Sequence, residues 1–183
     1  DKLIAIGTPP SSFEQHVYEF DGNTIRDLVN VGSVSTYEIF AIYNGYLYIG
    51  NNNSATNYET YKYSGSGNPT AFPSLPIGLE NPVVYGDKIY ARGWHAPGTY
   101  DLYSIDSLDN ATQLTTDISP SMLSVVNNKL YYFGYINYPT VFTRQLYSFD
   151  GTTISTVANG GTSSSSPTSY NGNFYYVPSV SSS

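Results

Sequence analysis

"NNKLYYFG", residues 127–134, is the stretch that decides the fold, because a tight-turn signal is followed at once by a nearly all-apolar run. Asn-Asn accepts the positive backbone angles of a two-residue hairpin turn, and a run of aromatic and aliphatic residues suits a β-strand. Variants are NGYLYIG at 44–50, GDKIYARG at 86–93 and NGNFYYV at 171–177, while DKLIAIG opens the chain. The same strand therefore occurs five times.

The five copies share one period. Aligned on the residue after the turn, they lie 41 to 44 residues apart at Leu3, Leu47, Ile89, Leu130 and Phe174. A second motif, VYEFDG at 17–22, recurs as TYKYSG, LYSIDS and LYSFDG with a spacing of 42 to 44 residues. Two motifs that keep one period indicate a repeat architecture.

Each repeat contains four short strands, which in the third repeat are expected at 82–85, 88–92, 100–106 and 111–116. Stacked four-stranded antiparallel sheets of about 40–45 residues are the blades of a β-propeller. We therefore predict an all-β propeller with a repeat of about 42 residues, four repeats and a partial fifth. A single-sheet meander or a two-sheet sandwich is the main alternative, although a strict register disfavours the sandwich. The predicted repeats of this single propeller are 1–43, 44–85, 86–126, 127–170 and the partial 171–183.

Burial follows from the alternation of residue types. The second strand of each repeat is apolar on both faces, as in 130–133, and such a strand needs cover on both sides. The third strand alternates apolar and polar positions, as in 18–20 and 147–149. We therefore expect the third strand to lie closer to solvent than the second.

One segment carries a family resemblance. The sequence QLYSFDGTTISTVANGGTSSSSPTSYNGNFYYV, residues 145–177, resembles the kelch-like propeller repeats of bacterial secreted and cell-surface proteins. Those have an aromatic-x-x-Asp-Gly-Thr turn, a Ser/Pro-rich link and then Asn-Gly-x-Leu-Tyr-Phe. The resemblance extends repeat by repeat over the whole chain, but the double glycine of true kelch repeats, the Trp-Asp of WD40 blades and the Trp-Thr-Asp of YWTD propellers are missing. It implies an extracellular or envelope-associated binding or scaffolding element and no catalytic residue.

Composition disfavours several classes of function. The net charge is −7, the pI is near 4.5 and only 7 Lys and Arg are present, which argues against a nucleic-acid partner. The absence of cysteine excludes disulfides, thiol catalysis and metal sites that need cysteine. Two histidines in non-adjacent repeats, His16 and His95, do not suggest a metal site, and we expect no metal and no cofactor. No apolar run approaches the roughly 20 residues of a membrane span.

Candidate binding residues lie in the loops between second and third strands, because propeller function is carried by blade-end loops on a rigid support. Aromatic rings beside polar side chains suit a glycan, since the ring stacks on the sugar and the polar groups bind its hydroxyls. The alternative is that each ring packs its own loop. The predicted ligand-binding residues are Phe13, His16, Asn53, Tyr58, Arg92, Trp94, His95, Tyr135 and Tyr138.

Catalysis has less support. The recurring acids, Asp21, Asp106 and Asp150, occupy turn positions and are explained by turn chemistry. Other acids, including Glu80 and Asp101, are not repeat-equivalent, so a fragment of a propeller-type glycoside-active enzyme stays the alternative. We predict a protein that is not an enzyme: an extracellular or cell-surface recognition and scaffolding module, or a subunit of a surface assembly or filament, with glycan or protein as partner.

The two ends of the sequence fall at unequal points of the repeat. Asp1 aligns with the second residue of the hairpin turns, so the first repeat lacks its first strand, whereas 167–180 supplies only two strands of a fifth. Unpaired apolar strand edges are association sites. We expect either a longer propeller chain or self-association of copies through these open blade edges.

Overall fold

The computed structural model describes residues 2–32, 40–51, 59–72, 78–96, 99–116, 118–136, 143–159, 168–171 and 173–176. Every helix or strand assigned within these ranges is a β-strand, and they contain no helix of the length and apolarity that a membrane crossing requires. The strands are β1 (Leu3–Gly7), β2 (Gln15–Phe20), β3 (Ile25–Gly32), β4 (Phe40–Tyr43), β5 (Tyr46–Asn51), β6 (Glu59–Tyr63), β7 (Thr70–Ala71), β8 (Gly78–Tyr85), β9 (Lys88–Ala96), β10 (Thr99–Ile105), β11 (Ala111–Gln113), β12 (Ser121–Val126), β13 (Lys129–Ile136), β14 (Thr143–Phe149), β15 (Ile154–Asn159), β16 (Thr168–Tyr170) and β17 (Asn173–Tyr175).

The strands form antiparallel meanders in chain order. Within the described residues there is a three-stranded sheet, β1-β2-β3, three four-stranded sheets, β4 to β7, β8 to β11 and β12 to β15, and the hairpin β16-β17. The order β8-β9-β10 confirms the consecutive antiparallel strands predicted at 82–85, 88–92 and 100–106. Repeated four-stranded meanders are propeller blades, so the all-β propeller prediction is confirmed at the level of fold class.

Hairpin turns precede the second strands β5, β9 and β13. Asn44 and Gly45 have φ of 49° and 75°, Gly86 has φ of 59°, and Asn127 and Asn128 have φ of 48° and 55°. Asn and Gly are the residues that tolerate this left-handed region at least cost. The turn residues quoted from the sequence therefore set the hairpins as predicted.

The chain divides into two compact units, Asp1–Glu80 and Asn81–Ser183. The core of the first contains Val17, Val31, Leu47, Ile49 and Tyr63. The core of the second contains Tyr85, Tyr90, Leu102, Leu130, Tyr132, Tyr147 and Phe149. The description of residues 1–183 as one propeller with the five predicted repeats stays a prediction.

Within each compact unit, one sheet packs its face on the next. Val17 of β2 packs with Leu47 and Tyr63 of the β4–β7 sheet. In the same way Tyr90 of β9 packs with Leu130 and Phe149 of the β12–β15 sheet. We call the face of a sheet that meets the preceding sheet its leading face and the opposite one its trailing face. A leading face thus contains the first residues of the second strand and the last residues of the third strand. These residues pair with each other in the sheet.

The third strand lies further inside the structure than its alternation of apolar and polar residues suggests. Its residues Leu102, Ile105 and Leu146 have no exposed surface. The exposed strand is the fourth, since both residues of β7 are exposed and β11 is largely so. The third strand has a hydrogen-bonded neighbour on each side and sheets against its faces, whereas the fourth is an edge strand. Polar side chains on the third strand therefore enter the interior, where they need partners.

Candidate functional site

Phe13 lies on the loop between β1 and β2, and local hydrogen bonds fix that loop. The Ser12 amide donates to the Pro9 carbonyl at 3.1 Å, and the Glu14 amide donates to Ser12 Oγ at 2.9 Å. The Phe13 side chain between them is 96% exposed. The ring does not pack its own loop, so the packing explanation does not apply to Phe13.

Polar groups surround this loop at the same end of the first sheet. Asn30 Nδ2 donates to Glu14 Oε2 at 2.5 Å, which ties the loop to β3. His16 Nδ1 and Asp27 Oδ2 lie 2.7 Å apart, and half of the Asp27 side chain is exposed. We call these five residues the Phe13 surface: Phe13, Glu14, His16, Asp27 and Asn30. The surface offers one aromatic face and the carboxylate, amide and imidazole groups that bind hydroxyls.

The predicted residues in the second compact unit have a different setting. The Arg92 guanidinium lies 3.4 Å from the centroid of the Tyr100 ring, and the side chain is half-buried, as is that of Tyr135. Arg92 therefore packs on an aromatic ring of its own sheet, as the packing alternative expects. Trp94 pairs with Tyr100 across the β9–β10 register, and His95 follows it on β9. For these two residues only the strand position is described.

Three predicted site residues, Asn53, Tyr58 and Tyr138, lie outside the described residues. The structure places Phe13 on the exposed β1–β2 loop and His16 three residues further along, on β2. It places Arg92, Trp94, His95 and Tyr135 on strands of the second compact unit.

Two of the carboxylates considered for catalysis, Glu80 and Asp101, are buried in sheets, whereas Glu14 is exposed. Asp101 is 1% exposed and Glu80 is 5% exposed. Gln113 Nε2 donates to Asp101 Oδ2 at 2.9 Å and to the Thr115 carbonyl at 3.1 Å. A carboxylate enclosed in this way is out of reach of a sugar ring unless the sheet opens.

The recurring turn acids have the structural role that the sequence predicts. The Asp150 carboxylate accepts hydrogen bonds from the amides of Thr152 and Thr153, each at 2.9 Å. These bonds, with that from the Thr152 hydroxyl, lower the pKa of Asp150 to about 2. Asp21 does the same for the amides of the residues that follow it. The acids are fixed acceptors for turn amides, as turn chemistry requires.

A buried ionic group in the first compact unit was not found from the sequence. The Tyr63 hydroxyl donates to Glu19 Oε2 at 2.7 Å, and Lys2 Nζ lies 3.0 Å from the same oxygen. Glu19 is 5% exposed. Burial raises the pKa of Glu19, but the hydrogen bonds from Tyr63 and Lys2 outweigh burial and leave the pKa below its usual value. The group joins neighbouring sheets.

An apolar cleft lies on the leading face of the first sheet. It has a volume of about 550 Å³ and contains no charged residue in its lining, which includes Leu3, Pro9, Tyr18, Phe20 and Ile25. Leu3, Tyr18 and Phe20 of this lining belong to the two repeated strand motifs. Ile25 is 73% exposed and Leu3 is 63% exposed. A volume of this size falls within the range of ligand pockets.

Comparison with known proteins supports the fold. No protein-family model and no curated protein matches the chain. The acylaminoacyl peptidase of Pyrococcus horikoshii is similar, with a TM-score of 0.54 and 11% identity over 86% of this chain and 25% of that one. The β-propeller domain of the Trilobed protease from Pyrococcus furiosus, described as having an open velcro topology, has a TM-score of 0.50 and 15% identity over 85% of this chain and 48% of that one.

The chain thus spans a quarter and about half of the two solved chains that it resembles. At these identities the likeness shows a shared β-propeller fold and nothing about chemistry. The finer resemblance to kelch-like repeats of secreted proteins stays a prediction.

Proposed function

We propose that this protein is a non-catalytic, extracellular or cell-surface recognition module that binds a neutral glycan at the Phe13 surface. The observation that carries the proposal is the 96% exposure of Phe13 on a loop that hydrogen bonds hold in place. An exposed ring on a pre-formed loop loses little conformational entropy when it binds. Its apolar face then stacks on a sugar ring.

The charge of the surface indicates the class of glycan. Glu14 follows Phe13 in the chain and is bonded by Asn30, Asp27 lies against His16 of the same sheet, and the whole chain carries a net charge of −7. Like charges in contact are unfavourable, so sulfated or uronic-acid glycans are disfavoured. Hydroxyl groups of a neutral sugar can donate to the same carboxylates.

Binding is preferred to hydrolysis because of where the acids lie. A glycosidase needs two carboxyl groups on either side of the scissile bond. Glu80 and Asp101 are buried, the repeat acids are occupied by turn amides, and the exposed Glu14 and Asp27 are each engaged by a side chain of their own sheet, Asn30 and His16. The secreted or surface location rests on the resemblance to kelch-like repeats of bacterial surface proteins.

A glycan array tests the proposal. The wild type should bind a subset of neutral glycans, and Phe13→Ala should weaken that binding at least fivefold, which corresponds to about 1 kcal/mol for loss of an aromatic anchor. The matched control is Leu108→Ala, since Leu108 is 80% exposed in a turn of another sheet. It should bind as the wild type does.

Two results would overturn this function. One is the absence of binding to any neutral glycan, which would leave a protein as the partner of these loops. The other is turnover of chromogenic glycosides that disappears in Asp101→Asn, which would establish the glycoside-active alternative.

A further inference from the structure

The loop that carries Phe13 is held by two kinds of hydrogen bond. Those inside the loop run from the Ser12 amide to the Pro9 carbonyl and from the Glu14 amide to Ser12 Oγ. They join residues close together in the chain, so they fix the shape of the loop but not its orientation on the sheet. Among the described residues, the Glu14 side chain is the one group of 8–14 that bonds to another strand, through Asn30 of β3.

The Asn30 side chain is oriented for this contact. Its Oδ1 accepts a hydrogen bond from the Gly32 amide at 2.8 Å, while its Nδ2 donates to Glu14 Oε2 at 2.5 Å. The two ends of the amide have different partners, so only one orientation of the group satisfies both. Asn30 is half-buried and Glu14 is exposed. The strand therefore fixes Asn30, and Asn30 fixes Glu14.

The same position holds an asparagine in another sheet. Asn30 lies opposite His16 in the β2–β3 register, and Asn159 lies opposite Gln145 in the β14–β15 register. His16 and Gln145 occupy equivalent places in the repeat, near the point where the loop between second and third strands ends. An amide at this position of the fourth strand therefore lies next to the loop of its own sheet.

We propose that Asn30 is a positioning residue of the glycan site, which holds Glu14 and thereby orients the Phe13 loop on the sheet. This inference rests on the proposed function, since it assigns Asn30 a role in glycan binding. A loop that could turn on the sheet would have to lose that freedom when a sugar binds. The anchored loop has lost it already, so the Asn30–Glu14 contact raises the affinity without touching the sugar.

The replacement Asn30→Asp tests this role. It keeps the shape of the side chain and an acceptor for the Gly32 amide, but it places a second carboxylate against Glu14. Like charges in contact repel, so the loop should detach from β3. Hydrogen exchange of the Ser12 and Glu14 amides should become at least about tenfold faster, and the affinity for a neutral glycan selected on the array should fall at least about fivefold. Asn23→Asp, on an exposed turn of the same sheet, should change neither.

A second replacement, Glu14→Gln in the Asn30→Asp variant, gives the decisive measurement. The amide introduced at position 14 can donate to the carboxylate introduced at position 30, so the contact returns with donor and acceptor exchanged. The double variant should restore slow exchange and an affinity within about twofold of the wild type. A residue needed only for the stability of β3 would not be rescued by a change in the loop. Asn30→Ala, which should also speed the exchange, replaces Asn30→Asp if circular dichroism shows that the charge prevents folding.

Three results would overturn the role of Asn30: unchanged exchange in Asn30→Asp, fast exchange that the second replacement does not slow, or fast exchange with full glycan affinity. Phe13→Ala should lose glycan binding and keep slow exchange of the loop amides. A wild type that binds no glycan would overturn the proposed function, whereas the exchange rates report whether Asn30 holds the loop. The two failures are therefore distinguishable.

Discussion

Two buried tyrosines show how much one hydroxyl partner matters. The Tyr63 hydroxyl donates to the Glu19 carboxylate at 2.7 Å. The Tyr132 hydroxyl is buried and has no hydrogen-bond partner among the described residues, although its ring stacks on that of Tyr147 at 5.4 Å. Burial raises the pKa of both phenols. Removing the hydroxyl should therefore have opposite effects at the two positions.

Tyr63→Phe should lower the free energy of unfolding by about 1.5–3 kcal/mol, because a buried hydrogen bond to a charged group is lost. Tyr132→Phe should leave it unchanged or raise it by up to about 1 kcal/mol, because an unsatisfied buried hydroxyl is removed. Urea denaturation of both variants measures the two effects. A loss of stability of equal size in both would contradict this account.

Contacts between side chains that lie about one repeat apart in the sequence were the hardest feature to predict. Glu19 stands where other repeats have Lys62, Ser104 and Ser148, so its departure from the pattern is visible. Its partner Tyr63 lies 44 residues away at an ordinary pattern position. The pairing follows only once the sheets are known to stack. Phe13 could be predicted as a binding residue because it lies in a loop, where an aromatic ring is not needed for the core.

The turn between third and fourth strands is the element most dependent on a carboxylate. Hydrogen bonds from backbone amides and from nearby side chains lower the pKa of Asp21, Asp106 and Asp150. In the unfolded chain an Asp has a pKa of about 3.9, so the unfolded state binds protons more readily at acid pH. This contribution to stability is present above about pH 4 and is lost as the pH falls through the folded pKa, about 2 for Asp150.

Replacing all three by Asn keeps a side-chain acceptor and removes the titration. The triple variant should have a lower melting temperature than the wild type at neutral pH, because charge-assisted hydrogen bonds become neutral ones. The difference between the two proteins should shrink as the pH falls from 4 towards 2. Thermal melts followed by circular dichroism across this range give the result. A difference that is the same at every pH would refute the role assigned to these carboxylates.

Strand positions and turns were predictable because both depend on local chemistry. Asn-Gly and Asn-Asn fix the hairpins, and the motif spacing fixes which strands pair. The degree of burial of the third strand was not predictable in this way, because Leu102 and Ile105 are buried by neighbouring strands and sheets, not by local sequence. Leu3 has the residue type of a core position, yet it is 63% exposed, which its local sequence does not reveal.

The whole molecule is acidic, with a net charge of −7 and a pI near 4.5. Repulsion between copies vanishes near the pI, which promotes association and precipitation. The turn carboxylates of Asp21, Asp106 and Asp150 have lowered pKa values, so the turns keep their charge at that pH. We therefore expect the protein that precipitates to be folded.

Turbidity should reach a maximum near pH 4.5, and the precipitate should redissolve when the pH is raised. Its circular dichroism spectrum should then match that of protein kept at neutral pH. Aggregates that fail to redissolve would show that unfolding, and not loss of net charge, drives the precipitation.

Hydrogen bonds between neighbouring sheets span about one repeat of sequence. The distance along the chain is 44 residues from Glu19 to Tyr63, 42 from Arg26 to Asn68 and 43 from Tyr85 to Asn128. Each sheet therefore needs to match only the sheets beside it. Duplication of one period within the gene would insert a sheet whose two faces already fit both neighbours. Evolution of such a chain can thus proceed by gain or loss of whole repeats, while a few inserted residues inside a strand would disturb every contact across it.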